Sequence, residues 1–339
     1  MATTFKNLTT NDIVSTRTLL NEAIPLTGTL LSGTYNDENI KEYSHGMFQS
    51  VYDYPYLSSS ANHIVDLTMG YSADSNLSGT VSTQNSKKIN IYNQMAQMLV
   101  GYDATGSIMK FDEDGNIAAG GAKLSEVFFF NFSRLLVKDE IKKGSFSVSF
   151  MTGAYSSPSA GSSFIINDQG AENDYRINSP AGEYGVLYRN GTTSSYGLIY
   201  YQAGVAVVTA SLFNAAFYGT GSAGVAARNA VLSGSTIDVN MDTLRRRISN
   251  ISFNNTTELN STVYFCRAAH NDFNYSSNPT YLSSSKMVVK NTSTDVPVSY
   301  ITTIGLYSAD NELLAVAKTS EPLKKDPTNE LTLRVRLDY

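Results

Sequence analysis

Leu331-Thr-Leu-Arg-Val-Arg-Leu-Asp338 is the clearest pattern in the chain. Leu331, Leu333, Val335 and Leu337 fall on one side of an extended backbone, and Thr332, Arg334, Arg336 and Asp338 on the other. A period of two held over the whole stretch specifies a half-buried strand. Working back, Tyr300-Ile-Thr-Thr-Ile-Gly-Leu-Tyr307 and Glu312-Leu-Leu-Ala-Val-Ala317 are apolar, β-branched or aromatic runs separated by the turn formers Ser308-Ala-Asp-Asn311. They predict a β-hairpin with a four-residue loop. The charged stretch Glu321-Pro-Leu-Lys-Lys-Asp-Pro327 predicts a connector to the terminal strand. A chain whose final strand ends at Tyr339 is expected to be tied into its own sheet or into a neighbour's.

Further back, 145–296 has the texture of an antiparallel β domain. Ser145-Phe-Ser-Val-Ser-Phe150 alternates, 163–166 and 183–188 are short apolar runs, and 197–209 reads as two strands broken at Ala203-Gly204 or as one strand with a bulge there. Strands are expected again at 259–268 and 286–290. Residues 219–236, rich in Gly, Ala and Ser, predict a surface loop, and 238–249 a helix that Asp238 would cap.

The N-terminal half reads as helical. Residues 1–35 predict an arm and a short helix, with Asn11 or Asp12 as cap, Ile13, Thr16, Leu19 and Leu20 at helical spacing, and Pro25 as its end. An extended segment at 26–33 follows. Ile40, Tyr43, Met47, Phe48 and Val51 fit a helix over 38–57. Residues 84–100 put Ile89, Tyr92, Ala96 and Leu99 on one face, with Gly101 at the C′ position. Residues 124–141, with Phe128-Phe-Phe130, predict a third, central helix. The expected fold class is therefore α+β: an α-rich N-terminal half (arm 1–35, helical domain 36–144), a sandwich-like antiparallel β domain (145–296), and a C-terminal hairpin and strand module (297–339).

The chain has 339 residues, long enough for two or three subdomains. Only 16% of it is charged, while Tyr contributes 22 residues and Phe 15. Ser, Thr, Asn and Gly carry the polarity instead, which suits β-structure and wet protein–protein contacts and argues against disorder. A net charge of −5 opposes nucleic-acid binding, which needs a basic footprint. The tight basic cluster Arg245-Arg-Arg247 reads as a solvated or salt-bridged helix face. One cysteine, Cys266, rules out an internal disulfide framework and reads as a small buried hydrophobe. Neither a signal-peptide pattern at Met1-Ala-Thr-Thr-Phe-Lys6 nor an apolar run of ~20 residues is present. A soluble protein made in a reducing cytosol, without membrane contact, is expected.

Chemistry-bearing motifs fail one by one. Gly219-Thr-Gly221-Ser-Ala-Gly224 matches G-x-G-x-x-G, but it lies in a Gly/Ala-rich neighbourhood and its acid partner, Asp238, fits a helix cap better. Asp112-Glu-Asp114-Gly-Asn116 resembles a calcium loop but has Ile117 and Lys123 where the pattern wants Gly and Glu, so it reads as a tight turn. His45, His63 and His270 are scattered. His270-Asn-Asp272 has no serine elbow to complete a catalytic set. Neither enzymatic activity nor a cofactor or metal is expected.

The run Tyr300-Ile-Thr-Thr-Ile-Gly-Leu-Tyr307, with Asp310-Asn-Glu-Leu-Leu-Ala-Val-Ala-Lys318 and Leu333-Arg-Val-Arg-Leu-Asp-Tyr339, resembles a hairpin module of tail-associated proteins of tailed bacteriophages. With Ile24-Pro-Leu-Thr-Gly-Thr-Leu-Leu-Ser-Gly33, Lys88-Ile-Asn-Ile-Tyr-Asn-Gln-Met-Ala-Gln97 and Ser179-Pro-Ala-Gly-Glu-Tyr-Gly185, the chain resembles virion structural proteins of the large contractile-tailed phages of marine cyanobacteria. Unlike fibre proteins it carries no shaft repeats. The resemblance implies a virion component, in the tail or baseplate, that assembles with other virion subunits as a homo- or hetero-oligomer. The neck, as a connector, and the capsid, as a decoration, are the alternative positions. A receptor- or carbohydrate-binding module, suggested by the Tyr- and Asn-rich loop at 272–281, is the alternative from another class. Candidate assembly contacts are Tyr300, Ile304, Tyr307, Leu331, Leu333, Arg334, Val335, Arg336, Leu337 and Tyr339.

Overall fold

A computed structural model of the chain describes residues 5–27, 37–79, 83–116, 121–213, 225–274, 282–283, 286–287 and 297–339. Among them 46% lie in strands and 19% in helices, so the expected α-rich N-terminal half is overturned. In chain order the strands are β1 (Ile13–Thr27), β2 (Ile40–Glu42), β3 (Gln49–Tyr52), β4 (His63–Tyr71), β5 (Glu126–Phe132), β6 (Glu140–Ile141), β7 (Ser147–Met151), β8 (Ser163–Asn167), β9 (Arg176–Ser179), β10 (Gly182–Arg189), β11 (Ser195–Tyr200), β12 (Val205–Thr209), β13 (Ile248–Ala268), β14 (Leu282–Ser283), β15 (Lys286–Met287), β16 (Ser299–Tyr307), β17 (Leu313–Lys325) and β18 (Leu331–Asp338). The helices are α1 (Thr83–Leu99), α2 (Arg134–Val137), α3 (Val225–Gly234) and α4 (Ile237–Arg245). Two compact units emerge, Leu19–Thr257 and Met1–Thr18 with Glu258–Tyr339. The composition breaks at 35, 144 and 296 fall inside these units.

In the larger unit strands hydrogen-bond in the order β13–β7–β8–β10–β11–β12–β5–β4–β3–β2, with β6 beside β13 and β9 beside β10. Each of these pairings is antiparallel. Phe132 of β5 lies 5.9 Å from Phe146 and 5.1 Å from Phe253 of β13, and Phe130 lies 6.3 Å from Phe150 of β7. Since β5 is remote from β7 and β13 along the hydrogen-bonded path, the sheet curls over itself and encloses these rings. Phe129 points to the opposite face, 5.7 Å from Phe111, which in turn meets Tyr92 of α1 edge-on at 5.4 Å.

That arrangement explains the missed helix at 124–141. A strand covered on both faces needs apolar residues at every position, so Phe128-Phe-Phe130 loses the alternation that marks a strand. Only α2, a single turn, is helical in that stretch. The helix expected over 38–57 is instead the hairpin β2–β3, reversed at Gly46 with φ +57°. The helix expected before Pro25 is the extended β1. Its β-branched Ile13, Val14, Thr16 and Thr18 suit a strand, and β1 pairs beside β13. In the larger unit this pairing is reinforced by the Glu22 N–H donating to Asn255 Oδ1 (3.2 Å) and by Thr256 Oγ1 donating to Asn21 (3.0 Å).

Three expectations hold. Helix α1 spans the segment expected at 84–100, burying Ile91, Tyr92, Ala96 and Leu99, and Gly101 follows at φ +92°. The stretch 197–209 is two strands, β11 and β12, turned at Gly204 with φ +68°. The helix expected at 238–249 is α4, which ends at Arg245 ahead of the strand at Ile248, and Thr236 rather than Asp238 caps it by accepting the Val239 N–H. The loop expected at 219–236 contains α3, while 219–224 and most of 26–33 lie outside the described residues. The strand expected at 259–268 begins already at Ile248, and of 286–290 only β15 is described.

Helix α1 rests directly on β4. A Cβ placed on Gly70 would lie 2.8 Å from both the Lys88 carbonyl oxygen and the Tyr92 nitrogen. Lys88 itself is fully buried and donates to the carbonyls of Leu232 (2.5 Å) and Ser235 (2.7 Å), at the C-terminal end of α3. A cation there satisfies carbonyls that the helix leaves open and complements its dipole. Burial pulls this ammonium down to about 8.

Candidate assembly surface

The smaller unit is where the candidate contact residues lie. Residues 258–268 of β13 carry β18 along one side, in register from Ser261↔Asp338 to Ala268↔Leu331. Asn260 and Tyr339 exchange both backbone hydrogen bonds (3.1 and 2.9 Å). The terminal strand is thus tied into its own sheet. Leu331, Leu333 and Leu337 are half-buried and Val335 is 6% exposed, whereas Thr332, Arg334, Arg336 and Asp338 face solvent. Arg336 Nε donates to Ser261 (2.9 Å) and Asp338 (2.8 Å). In the same unit the first residues of β1 meet β13 through Ser15 and Thr262, whose hydroxyls lie 3.0 Å apart, and Tyr339 extends that chain of hydroxyls (3.1 Å to Thr262). Among the described residues the far edge of β18 has no strand partner. Cys266 is half-buried opposite Leu333, and burial, with Asp12 adding, pushes its thiol up.

The hairpin β16–β17 forms a separate two-stranded sheet. Its loop closes with Asn311 at φ +62°, the Ser308 N–H donating to Glu312 O (2.9 Å) and the Glu312 N–H to Ser308 Oγ (3.1 Å). This is the turn expected at 308–311. The connector expected at 321–327 is mostly strand, because β17 continues through Pro322 to Lys325. Pro322 fits there because the ladder skips from Thr303↔Lys318 to Ile301↔Leu323, so no N–H is required of it. Ile301, Ile304 and Leu306 are half-buried on one face, opposite Leu323, Ala317 and Ala315. The rest of the hairpin exposes Tyr300 (51%), Tyr307 (45%), Leu313 (53%), Leu314 (68%) and Val316 (52%).

Among the described residues, polar contacts to the rest of the unit hold only the base of this hairpin. Lys325, fully buried, donates to Asn274 Oδ1 (2.8 Å), to the Asp326 carbonyl (2.8 Å) and to the His270 carbonyl (3.3 Å). Its cross-strand partner Ser299 donates through Oγ to the Phe273 carbonyl. Toward the tip, Phe5 meets Tyr307 edge-on at 4.8 Å.

The structure thus distributes the candidates over two substructures, Tyr300, Ile304 and Tyr307 on the hairpin and the remaining seven on β18 and its end. Leu313, Leu314 and Val316, as exposed as the hairpin candidates, were not singled out in the sequence. Their signal was the unalternating Leu-Leu-Ala-Val of β17, which in a two-stranded ribbon leaves apolar side chains on both faces.

Other singled-out residues are placed apart from one another. His63 Nε2 meets Asp66 (2.7 Å), exposed His270 meets Glu330 (3.2 Å), and His45 stacks on Tyr43 at 5.1 Å. Asp272 pairs with Lys6, which holds its carboxyl below the usual range. Asp112 is buried and paired with Lys123, the residue standing where a calcium loop has its last acid, and Gly115 makes the tight turn at φ +72°. Among the described residues no three His, Cys, Asp or Glu side chains are grouped to hold a metal ion, and no helix is long and apolar enough to cross a membrane. Of the two readings of the basic cluster, a solvated or a salt-bridged helix face, Arg245 fits the second, paired with Asp242 and Asp37. Arg245 and Arg247 are 2% and 1% exposed, and Arg247 donates to the Gly153 carbonyl (2.9 Å).

The fold and this surface define an antiparallel β-protein with strand edges that have no partner among the described residues. No family model, curated protein or solved structure matches the chain.

Proposed function

We propose that the protein is a non-enzymatic structural component of a tailed-phage virion, placed in the tail or baseplate, that assembles through the strand edges and exposed apolar face of its C-terminal module. The observation that carries the assembly reading is the hairpin β16–β17, which pairs with no further strand among the described residues while exposing Tyr300, Tyr307, Leu313, Leu314 and Val316. A lone two-stranded ribbon is marginal in water. Strand addition along its edge, or burial of its face, stabilises it by about 1.5–3 kcal/mol for each large side chain fully covered. The phage context comes from the resemblance of 300–307, 310–318 and 333–339 to tail-associated modules.

Deleting the last nine residues would remove β18 and disturb β13, so point changes test the idea more cleanly. With Tyr307→Asp and Val316→Glu combined, circular dichroism and the main thermal transition should stay unchanged while the protein disappears from purified particles, as read by mass spectrometry against sheath and capsid proteins. Normal incorporation of that folded variant would refute assembly through this face. Imaging of labelled particles separates tail and baseplate from neck and capsid positions.

A further inference from the structure

The ladder between β13 and β18 runs from Ser261↔Asp338 to Ala268↔Leu331 without a register shift, and β18 contains no proline. Its hydrogen-bond phase follows from Asn260 and Tyr339, which exchange both backbone bonds. Antiparallel pairs alternate between hydrogen-bonded and non-hydrogen-bonded, so Leu331, Leu333, Val335 and Leu337 turn their N–H and C=O groups to β13. Thr332, Arg334, Arg336 and Asp338 turn theirs the other way, to an edge with no strand beside it among the described residues. The same residues carry the exposed side chains. We infer that this edge pairs antiparallel with the β18 edge of a second copy, about a two-fold axis at Arg336. The inference rests on the assembly reading in one respect, that an open strand edge of this module meets another subunit.

The charges on β18 select that register. A two-fold axis through a continuous sheet sets each residue opposite one on the same face, which leaves few alignments. With the axis at Arg334, that residue opposes itself. With the axis at Val335, Arg334 opposes Arg336 twice, and like charges directly opposite destabilise a strand pair. With the axis at Arg336, Arg334 opposes the partner's Asp338, once from each side. On the other face Val335 then opposes the partner's Leu337, and Leu333 the partner's Tyr339, a residue 75% exposed in the single chain. An axis at Leu337 only joins Arg336 to Asp338, which already pair within one copy, and brings Arg334 no acid.

Arg334 is the residue that gains. Arg336 has Asp338 (2.8 Å) and Arg267 has Asp12 (2.8 Å), whereas exposed Arg334 meets no carboxylate among the described residues. At the axis Arg336 faces its own counterpart. Its Nε bond to Asp338 draws each guanidinium along its own strand and away from the axis. Asp338 then lies between its own Arg336 and the partner's Arg334. The hairpin offers a less regular edge, since β17 contains Pro322 and the β16–β17 ladder is interrupted.

Sedimentation velocity of the whole protein over a concentration series, with hydrogen exchange resolved to single amides, tests this. A reversible dimer is expected. It should protect the amides of Arg334, Arg336 and Asp338, while those of Leu333, Val335 and Leu337 are already protected in the monomer. Arg334→Asp and Asp338→Arg should each weaken the dimer about ten-fold, because each replaces two attractive pairs by two repulsive ones. The two changes combined re-form the pairs with the charges exchanged and should restore affinity to within about three-fold. Circular dichroism checks the fold. Should Asp338→Arg disturb it, Arg334→Asp at its exposed position carries the test, together with weakening of the unmodified dimer by salt. Tyr307→Asp combined with Val316→Glu should leave the dimer intact, so dimerisation and particle incorporation through the hairpin face fail separately. A monomer at roughly millimolar protein, a dimer that Arg334→Asp leaves unchanged, or a folded double variant that stays monomeric would each overturn the proposal. So would a monomer whose β18 amides become protected only in particles, which would assign this edge to a different subunit.

Discussion

Asp168 concentrates more of the fold's polar order than any sequence pattern indicates. Its Oδ1 accepts the Phe146 N–H (3.0 Å), and its Oδ2 accepts the Gly144 N–H (2.7 Å) and the Tyr201 hydroxyl (3.0 Å). Burial nonetheless pushes its carboxyl up to about 6, against those three donors. The folded protein therefore holds this proton more tightly than the unfolded chain does. The resulting stabilisation is complete below pH ~4 and is lost as pH rises through about 6, on the order of 3 kcal/mol. Asp168→Asn should flatten that part of the stability–pH curve, measured by urea unfolding between pH 4 and 7. Asp168→Ala should destabilise at pH 7 by ~1–3 kcal/mol for each donor left orphaned; a change below 1 kcal/mol would contradict the role. In the sequence this residue sits in Asn167-Asp-Gln-Gly170, which reads only as a turn. Lys88 was equally invisible, since it lies among polar helix residues and its carbonyl partners are far along the chain. Buried polar groups are legible only through their partners, and all the partners here but the Tyr201 hydroxyl are backbone atoms.

At the scale of elements, strands betray themselves when one face is wet. β18 keeps that alternation and was read correctly, while the hairpin was read from its turn and the extension of β17 to Lys325 was missed. β5 is covered on both faces, and β2–β3 and β1 carry spacings that fit a helix equally well over a short window. The helix that was read correctly, α1, packs so closely on β4 that Gly70 admits no side chain. Gly70→Ala should force α1 outward and cost about 1–3 kcal/mol. Gly79, where an added Cβ meets nothing within 4 Å, is the matched control and should change stability by less than ~0.5 kcal/mol. Thermal unfolding of the two variants distinguishes close packing from a general effect of losing glycine.

For the whole molecule, low charge density and abundant Tyr foretold β-structure but not how much of the chain would adopt it. The functional reading rests on resemblance alone, and the buried network of Glu42, Gln49 and Asp242 was not legible at all, because only the fold brings β2, β3 and α4 together. Hydrogen exchange should mirror the uneven burial. Amides of β5, β11 and β12 should exchange slowest in the free protein, and those of 304–317 fast, becoming protected only on assembly. Protection of the free hairpin tip equal to that of β12 would show that the ribbon is already covered.

The clamp of Ser299 and Lys325 has a mechanical meaning. Held at that pair, the ribbon is a lever roughly 30 Å long, nine residues at about 3.3 Å each. A tilt of about 10° at the pivot carries the loop at Asn311 through about 5 Å without breaking a hydrogen bond within the ribbon. In the proposed assembly, subunits joined through such arms would meet across imperfect spacings, taking up mismatch by rotation about one anchored point and leaving their folded bodies unstrained.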